Sequence, residues 1–212
     1  MLDSPRLVLF LTAALLLAIA PGPGMLYVLA RSLAGGKREG VLSAVGTLVG
    51  GLVHVFAAAL GVSIILAKSA LAFAALKYAG AAYLGFLGMR IILGARGEKF
   101  DAETTSPVLE SGHHPLWQGV ATEVLNPKTA LFFLSFIPQF VSRSSGHVLL
   151  QFVMLGTISV LMNTTTDLLV VALAGPLGTR IRSSAVFRRR QRTVTGAIMI
   201  GLGTYLAASE SK

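Results

Sequence analysis

The chain has 212 residues, of which 54% are hydrophobic and 13% charged, with a formal net charge of +9 and no cysteine. The charged share is about half that of a soluble domain, which excludes that class. Lack of cysteine excludes thiol redox chemistry and thiolate metal sites. The excess Lys and Arg lies between apolar stretches, a pattern that the positive-inside rule explains without nucleic acid.

The first apolar stretch, Leu7–Ala30, is too long for a signal-peptide core of about 7–15 residues. It holds Pro21-Gly22-Pro23-Gly24 in its interior, and a basic connection follows with Arg31, Lys37 and Arg38. The second predicted helix, Val41–Ala67, carries Gly46, Gly50 and His54 at a spacing of four, hence on one face. The third, Leu71–Leu93, is rich in small residues. Lys77 and Arg90 lie near its ends, where long side chains snorkel to the interfaces. Tyr78 and Tyr83 read as interface anchors or packing residues.

A polar stretch at 95–115 separates two halves and reads as a flexible linker. His113 and His114 stand in it, but two ligands in a loop make a poor metal site. The fourth helix, Gln118–Val141, is interrupted at Asn126-Pro127, with Glu123 and Lys128 on either side. The fifth, His147–Ala174, places Asn163 and Asp167 on one face with Thr164, Thr165 and Thr166 around them. A connection with Arg180, Arg182, Arg188, Arg189, Arg190 and Arg192 leads to a short sixth helix, Val194–Ala208.

The expectation is an all-α polytopic membrane protein of six spans, one transporter domain over 1–212. The basic connections put loops one, three and five in the cytoplasm and both termini outside. Three spans per half make residues 1–94 and 116–212 inverted repeats, each opening with a helix broken at proline. Proline removes a donor and clashes with the preceding turn. The freed backbone groups must face protein or a water-filled cavity, since lipid cannot serve them. Restarted half-helices at Pro21–Gly24 and at Asn126, Pro127 and Lys128 would offer positive ends to a substrate carboxylate.

Ionisable groups at membrane depth are candidates for function. Asp167 is the leading candidate for proton coupling or for holding a substrate ammonium, with Asn163 beside it. His54 reads either as a neutral bond between helices or as a proton carrier. Glu123 and Lys128 either neutralise each other or line the pathway, and Glu123 joins Asp167 and His54 as a candidate for proton coupling. No GxSxG, HExxH or GxxxxGK[ST] motif occurs, so neither an enzyme nor a nucleotide-driven pump is expected. No cofactor is expected, and energy comes from a gradient.

Three segments carry a family resemblance. Ala20-Pro21-Gly22-Pro23-Gly24, then Gly35-Gly36-Lys37-Arg38-Glu39-Gly40 and Gly46 with Gly50, resemble the N-terminal signature of LysE/RhtB amino-acid exporters. Lys77-Tyr78-Ala79-Gly80-Ala81-Ala82-Tyr83-Leu84 with Gly88 is similar to the next signature, and Leu125-Asn126-Pro127-Lys128-Thr129-Ala130-Leu131-Phe132-Phe133 to the fourth-helix motif. The resemblance spans essentially the whole chain. It implies six membrane helices in the bacterial inner membrane and efflux of amino acids or close derivatives in exchange for protons. Glu123 departs from many members, which carry an amide there, and an acid at that place would change the charge of the pathway and so bear on the substrate.

Two other readings stand beside the exporter. One is export of a metal or another small ion, which scattered methionines and absent cysteines disfavour. The other is a non-transporting scaffold whose Arg188–Arg192 run binds anionic lipid. Small-residue faces on helices two and three could pack within one chain or form a homodimer.

Overall fold

The computed structural model describes residues 4–94, 114–142, 146–183 and 185–208. All its described elements are helical: α1 (Ser4–Ile19), α2 (Pro23–Lys68), α3 (Ala70–Gly94), α4 (Pro115–Val124), α5 (Pro127–Leu131), α6 (Val148–Ser183) and α7 (Ala185–Ala208). A π turn over Phe132–Phe136 and a 3-10 turn over Ile137–Phe140 extend α5. Pro138 lacks the N–H that the Leu134 carbonyl would take in an α-helix, which gives the irregular stretch a local cause.

Helix α2 lies against α4 and α6, α3 packs along α7, and α1 leans on α6. Glycines set the closest approaches. A Cβ on Gly46 would lie 2.9 Å from the Gly119 Cα, so α2 and α4 meet backbone to backbone. Gly88 and Gly196 face each other's carbonyls in the same way where α3 crosses α7. Such contacts replace the hydrophobic drive that lipid does not supply between helices. Phe10, Phe132, Phe136, Phe140 and Phe152 fill the centre of the core. Phe136 lies 5.1 Å from Phe132 and 5.0 Å from Phe140 between ring centroids.

Large apolar side chains also point outward. Phe56, Leu60, Leu71 and Phe86 are each more than half exposed, a surface suited to acyl chains and not to water. Segments Pro23–Gly61, Leu71–Gly94 and Val148–Gly175 are long and apolar enough to cross a membrane. The pair Pro115–Val124 and Pro127–Phe140, bent by 45°, makes a fourth if read as one broken span. Pro5–Ile19 is apolar but shorter.

Several expectations are corrected. The basic connection after the first helix is not a loop: α2 runs through Arg31, Lys37 and Arg38, and only Gly36, at φ 73°, leaves helical geometry. A positive φ is open to glycine at no steric cost, so the chain kinks there within one residue. The arginine-rich connection before the last helix is helical too, with α6 reaching Ser183 and α7 starting at Ala185. Arginine is a good helix former, and no proline follows Pro176 in the chain. Helix α4 starts at Pro115 because the proline sits in its first turn and the His114 side chain accepts from Leu116 N. His114 is therefore a helix cap, while His113 and the linker residues 95–113 lie outside the described residues. Lys77 does not snorkel: it is 1% exposed, with Nζ 5.2 Å from the Tyr78 ring centroid.

Candidate functional site

Two proline breaks face each other inside this frame. In the first, α1 ends at Ile19, and Ala20 N still donates to the Leu16 carbonyl at 3.0 Å. The next residue is Pro21, so the Leu17 carbonyl has no donor four residues on. Lys128 supplies one. Its Nζ donates to the carbonyls of Leu17 at 2.9 Å and Ala20 at 2.7 Å. In the second break, Pro127 removes the donor that the Glu123 carbonyl would take, and that carbonyl accepts from Asn126 N at 3.0 Å instead. His54 Nε2 lies 2.9 Å from the same carbonyl. Each break is thus closed by a side chain from the other half of the sequence.

The side chains of the second break fill the first. The buried ammonium of Lys128 sits at the carbonyl end of α1, where a helix is electronegative. Glu123, also buried, lies beside Gly24 in the first turn of α2, where a helix is electropositive. Both contacts are close enough for a Cβ to be felt. A Cβ on Gly22 would stand 3.1 Å from both Cδ and Nζ of Lys128, and one on Gly24 would overlap Glu123 Oε2. Pro21, Gly22, Pro23 and Gly24 thus shape the break rather than offer reactive groups.

Asn126 organises the second break. Its Oδ1 accepts from Lys128 N at 3.1 Å, capping α5, and its Nδ2 donates to Glu123 Oε2 at 3.0 Å. Thr129 Oγ1 donates to Glu123 Oε1 at 2.6 Å. Both carboxylate oxygens of Glu123 are therefore held by neutral donors, and Lys128 turns to backbone carbonyls. The expected cradle for a substrate carboxylate at the two restarted helices is, in this conformation, occupied by Glu123 at one and Asn126 at the other.

Between the breaks lies a cavity of about 30 Å³. A polar space of this kind holds ordered water. Its polar wall comprises Thr47, Glu123, Lys128, Thr129, Ser159 and Asn163; its apolar wall includes Leu17, Phe132, Phe133 and Val160. Asp167 stands one turn beyond Asn163 on α6 and is fully buried. Its Oδ2 accepts from Thr47 Oγ1 at 2.9 Å, while Oδ1 has no hydrogen-bond partner among the described residues. Thr47 is thus the bridge between cavity and acid.

His54 is half-buried outside the cavity wall, stacked on Phe133 at 6.1 Å. Its face with Gly46 and Gly50 packs on α4 as the spacing implied, with Gly50 against Val120 and Glu123. Sequence reasoning missed Thr47 and Thr129, because isolated threonines in apolar helices carry no pattern. The signal for Thr47 was its place directly after Gly46. A second polar group was missed too. Tyr27 Oη donates to the Pro115 carbonyl at 2.7 Å, and Arg31 joins Gln118 and, at 3.3 Å, Glu39. It ties the start of α2 to the start of α4.

The family model described as LysE type translocator matches residues 15–210. An uncharacterized membrane protein of Pseudomonas aeruginosa is 35% identical over 90% of this chain and 89% of its own. One of Vibrio cholerae is 30% identical over 95% and 96%. The leucine efflux protein of Salmonella typhimurium is 30% identical over 70% of this chain and 69% of its own. No solved structure matches.

Proposed function

The chain belongs to the LysE type translocator family, a multi-pass membrane transporter and not an enzyme, and on that premise we propose that it exports amino acids across the bacterial inner membrane by proton antiport. The observation that carries the reading is the meeting of both proline-broken helices around one cavity, with Glu123, Lys128 and Asn163 in its wall. A broken helix pair at membrane depth is a costly arrangement whose use is to bind a polar solute.

Six spans in two inverted repeats accommodate this arrangement. α1 with the part of α2 before Gly36 forms the first span, and the rest of α2 the second. α4 with α5 and its extension forms the fourth, between α3 and α6, and α7 is the sixth. The reciprocal closure of the breaks, Lys128 onto Leu17 and Ala20 and His54 onto Glu123, supports the pairing of the halves.

The substrate is a neutral amino acid with an apolar side chain. Leu17, Phe132, Phe133 and Val160 supply an apolar wall, and the relatives that export leucine agree with it. Asp167 carries the coupled proton. The hydroxyl of Thr47 lies 2.9 Å from both Asp167 Oδ2 and the Ala44 carbonyl. A hydroxyl has one proton and two lone pairs. With Asp167 ionised, Thr47 donates to it; with Asp167 protonated, the acid donates to Thr47, which donates to Ala44. Both protonation states are satisfied in one geometry, and the cavity learns of the change through Thr47.

The test is efflux from proteoliposomes loaded with labelled amino acids, with and without a pH gradient. Release of leucine or its neighbours, faster with protons supplied on the acceptor side, is the expected result. No release of any amino acid from inserted protein would overturn the exporter reading in favour of ion transport or a scaffold.

A further inference from the structure

Lys128 holds a position that a neutral donor could hold as well. The carbonyls of Leu17 and Ala20 converge on a single ammonium, 2.9 and 2.7 Å away. Leu17 stands in the last turn of α1 and lacks a donor because Pro21 has no N–H, and Ala20 lies in the break itself. A water from the adjoining cavity could satisfy two such oxygens. Instead the chain places a buried charge there, which is costly unless the charge has a task. We propose that the Lys128 ammonium is a tethered stand-in for the substrate's own ammonium, and that the Leu17 and Ala20 carbonyls are the seat the two exchange.

This inference rests on the exporter reading and specifies its site. Three features favour exchange over a permanent staple. The seat is filled, with Lys128 Nζ 2.9 and 2.7 Å from its two carbonyls, so loading an ammonium there requires that side chain to leave. Lys128 is the long flexible side chain in its wall, and Gly22 leaves it room to move. The charge also balances for a zwitterion, which adds no net charge beside the displaced Lys128. Glu123, beside Gly24 at the amide end of the same break, completes the likeness to a zwitterion. The seat therefore selects an amine-bearing solute whose side chain is uncharged, because Lys128, once displaced, remains nearby as a cation and repels a second one. In the closed conformation the protein carries its own occupant.

The geometry makes an unusual forecast: removing a buried, hydrogen-bonded residue of the site tightens binding. A site that is open only part of the time binds with an affinity reduced by that fraction, so freeing the seat in Lys128→Met raises apparent affinity by about tenfold or more. The gain depends on the ammonium. Leucine and isoamylamine, which have it, bind more tightly to Lys128→Met than to the unmodified protein; 4-methylpentanoate, which lacks it, does not. Efflux of leucine slows in the same variant, because nothing now displaces the product.

The experiment is equilibrium binding of these three ligands to full-length protein in nanodiscs, with leucine efflux measured in parallel. If Lys128→Met binds leucine and 4-methylpentanoate more weakly and isoamylamine no better, Lys128 grips the substrate carboxylate and the inference is overturned while the exporter reading stands. If the unmodified protein exports no amino acid, the exporter reading fails, and isoamylamine still reports on the seat alone. Gly22→Ala provides a control variant. It crowds the seat itself, since its Cβ would stand 3.1 Å from the Nζ position, so isoamylamine should bind it more weakly. Lys128→Gln, which removes the ammonium but keeps a neutral donor, should tighten isoamylamine binding as Lys128→Met does, and weaker binding there would count against the exchange.

Discussion

Thr47 and Asp167 share a hydrogen bond of 2.9 Å across 120 residues of sequence, tying α2 to α6 behind the cavity. Asp167→Asn removes the charge yet leaves an amide able to donate to Thr47 as the protonated acid does. The variant should insert and fold, and acceleration of efflux by a pH gradient should fall by about tenfold or more, the usual scale of coupling between two sites. Thr47→Val, which keeps the shape, strands the ionised carboxylate and should cost about 1–3 kcal/mol of stability as well. Gradient-driven efflux that survives intact in Asp167→Asn would remove that residue from the coupling path.

Glycine spacing in α2 separates structural from neutral positions. A Cβ on Gly50 would approach Glu123 Cβ to 2.7 Å and the Val120 carbonyl to 2.9 Å, both on the rigid face of α4. Gly50→Ala should destabilise by about 1–3 kcal/mol through overpacking. Gly85 on α3 meets nothing within 4 Å, so Gly85→Ala should be neutral or gain up to about 1 kcal/mol of helix propensity. Thermal unfolding in detergent compares the two. Equal midpoints would mean that α2 and α4 separate readily in solution.

Much of this arrangement was legible in the chain itself. The prolines announced both breaks, because loss of an N–H is a covalent fact that no tertiary context restores. The four-residue spacing of Gly46, Gly50 and His54 gave the face that meets α4. The connections were not legible. Charge and glycine density suggested loops at 31–40 and 175–193, whereas Gly36 alone turns the chain and the arginines continue helices. Burial was equally hidden for Lys77, since its place seven residues into α3 fits a snorkelling lysine and an interior one alike. The carbonyl partners of Lys128 lie 108 and 111 residues away, a distance that local pattern cannot bridge.

Asn126 does two jobs that can be set against each other. Its Oδ1 caps α5 and its Nδ2 donates to Glu123. Asn126→Asp preserves the cap but turns the donor into a second carboxylate facing Glu123 Oε2, 3.0 Å from the present amide nitrogen. Breaking a buried charged contact of this kind costs about 3–5 kcal/mol. Asn126→Ser keeps a cap with no opposing charge and should cost about 1 kcal/mol for the lost donor. Chemical denaturation or thermal midpoints should rank Asn126→Asp below Asn126→Ser. The reverse order would show that the Asn126–Glu123 contact does not govern the stability of the break.

The inverted repeat makes a prediction about sides that the absence of cysteine lets one read cleanly, since a single introduced thiol is then the only one in the chain. Lys37 lies at the kink of α2 and Arg190 in the first turns of α7, both exposed. Leu71 stands in the first turn of α3 and His147 precedes α6, and these are exposed as well. Three spans per half put the first pair on one side and the second on the other, and the density of Lys and Arg assigns the first pair to the cytoplasm. Lys37→Cys and Arg190→Cys should react with an impermeant maleimide only in inside-out vesicles, and Leu71→Cys and His147→Cys only in intact cells. The pairing matters more than the absolute side. If Lys37→Cys and Arg190→Cys label together but from outside, the orientation is reversed and the repeat survives. If they label from opposite sides, the halves are not inverted copies, and the reciprocal closure of the two proline breaks would need another origin.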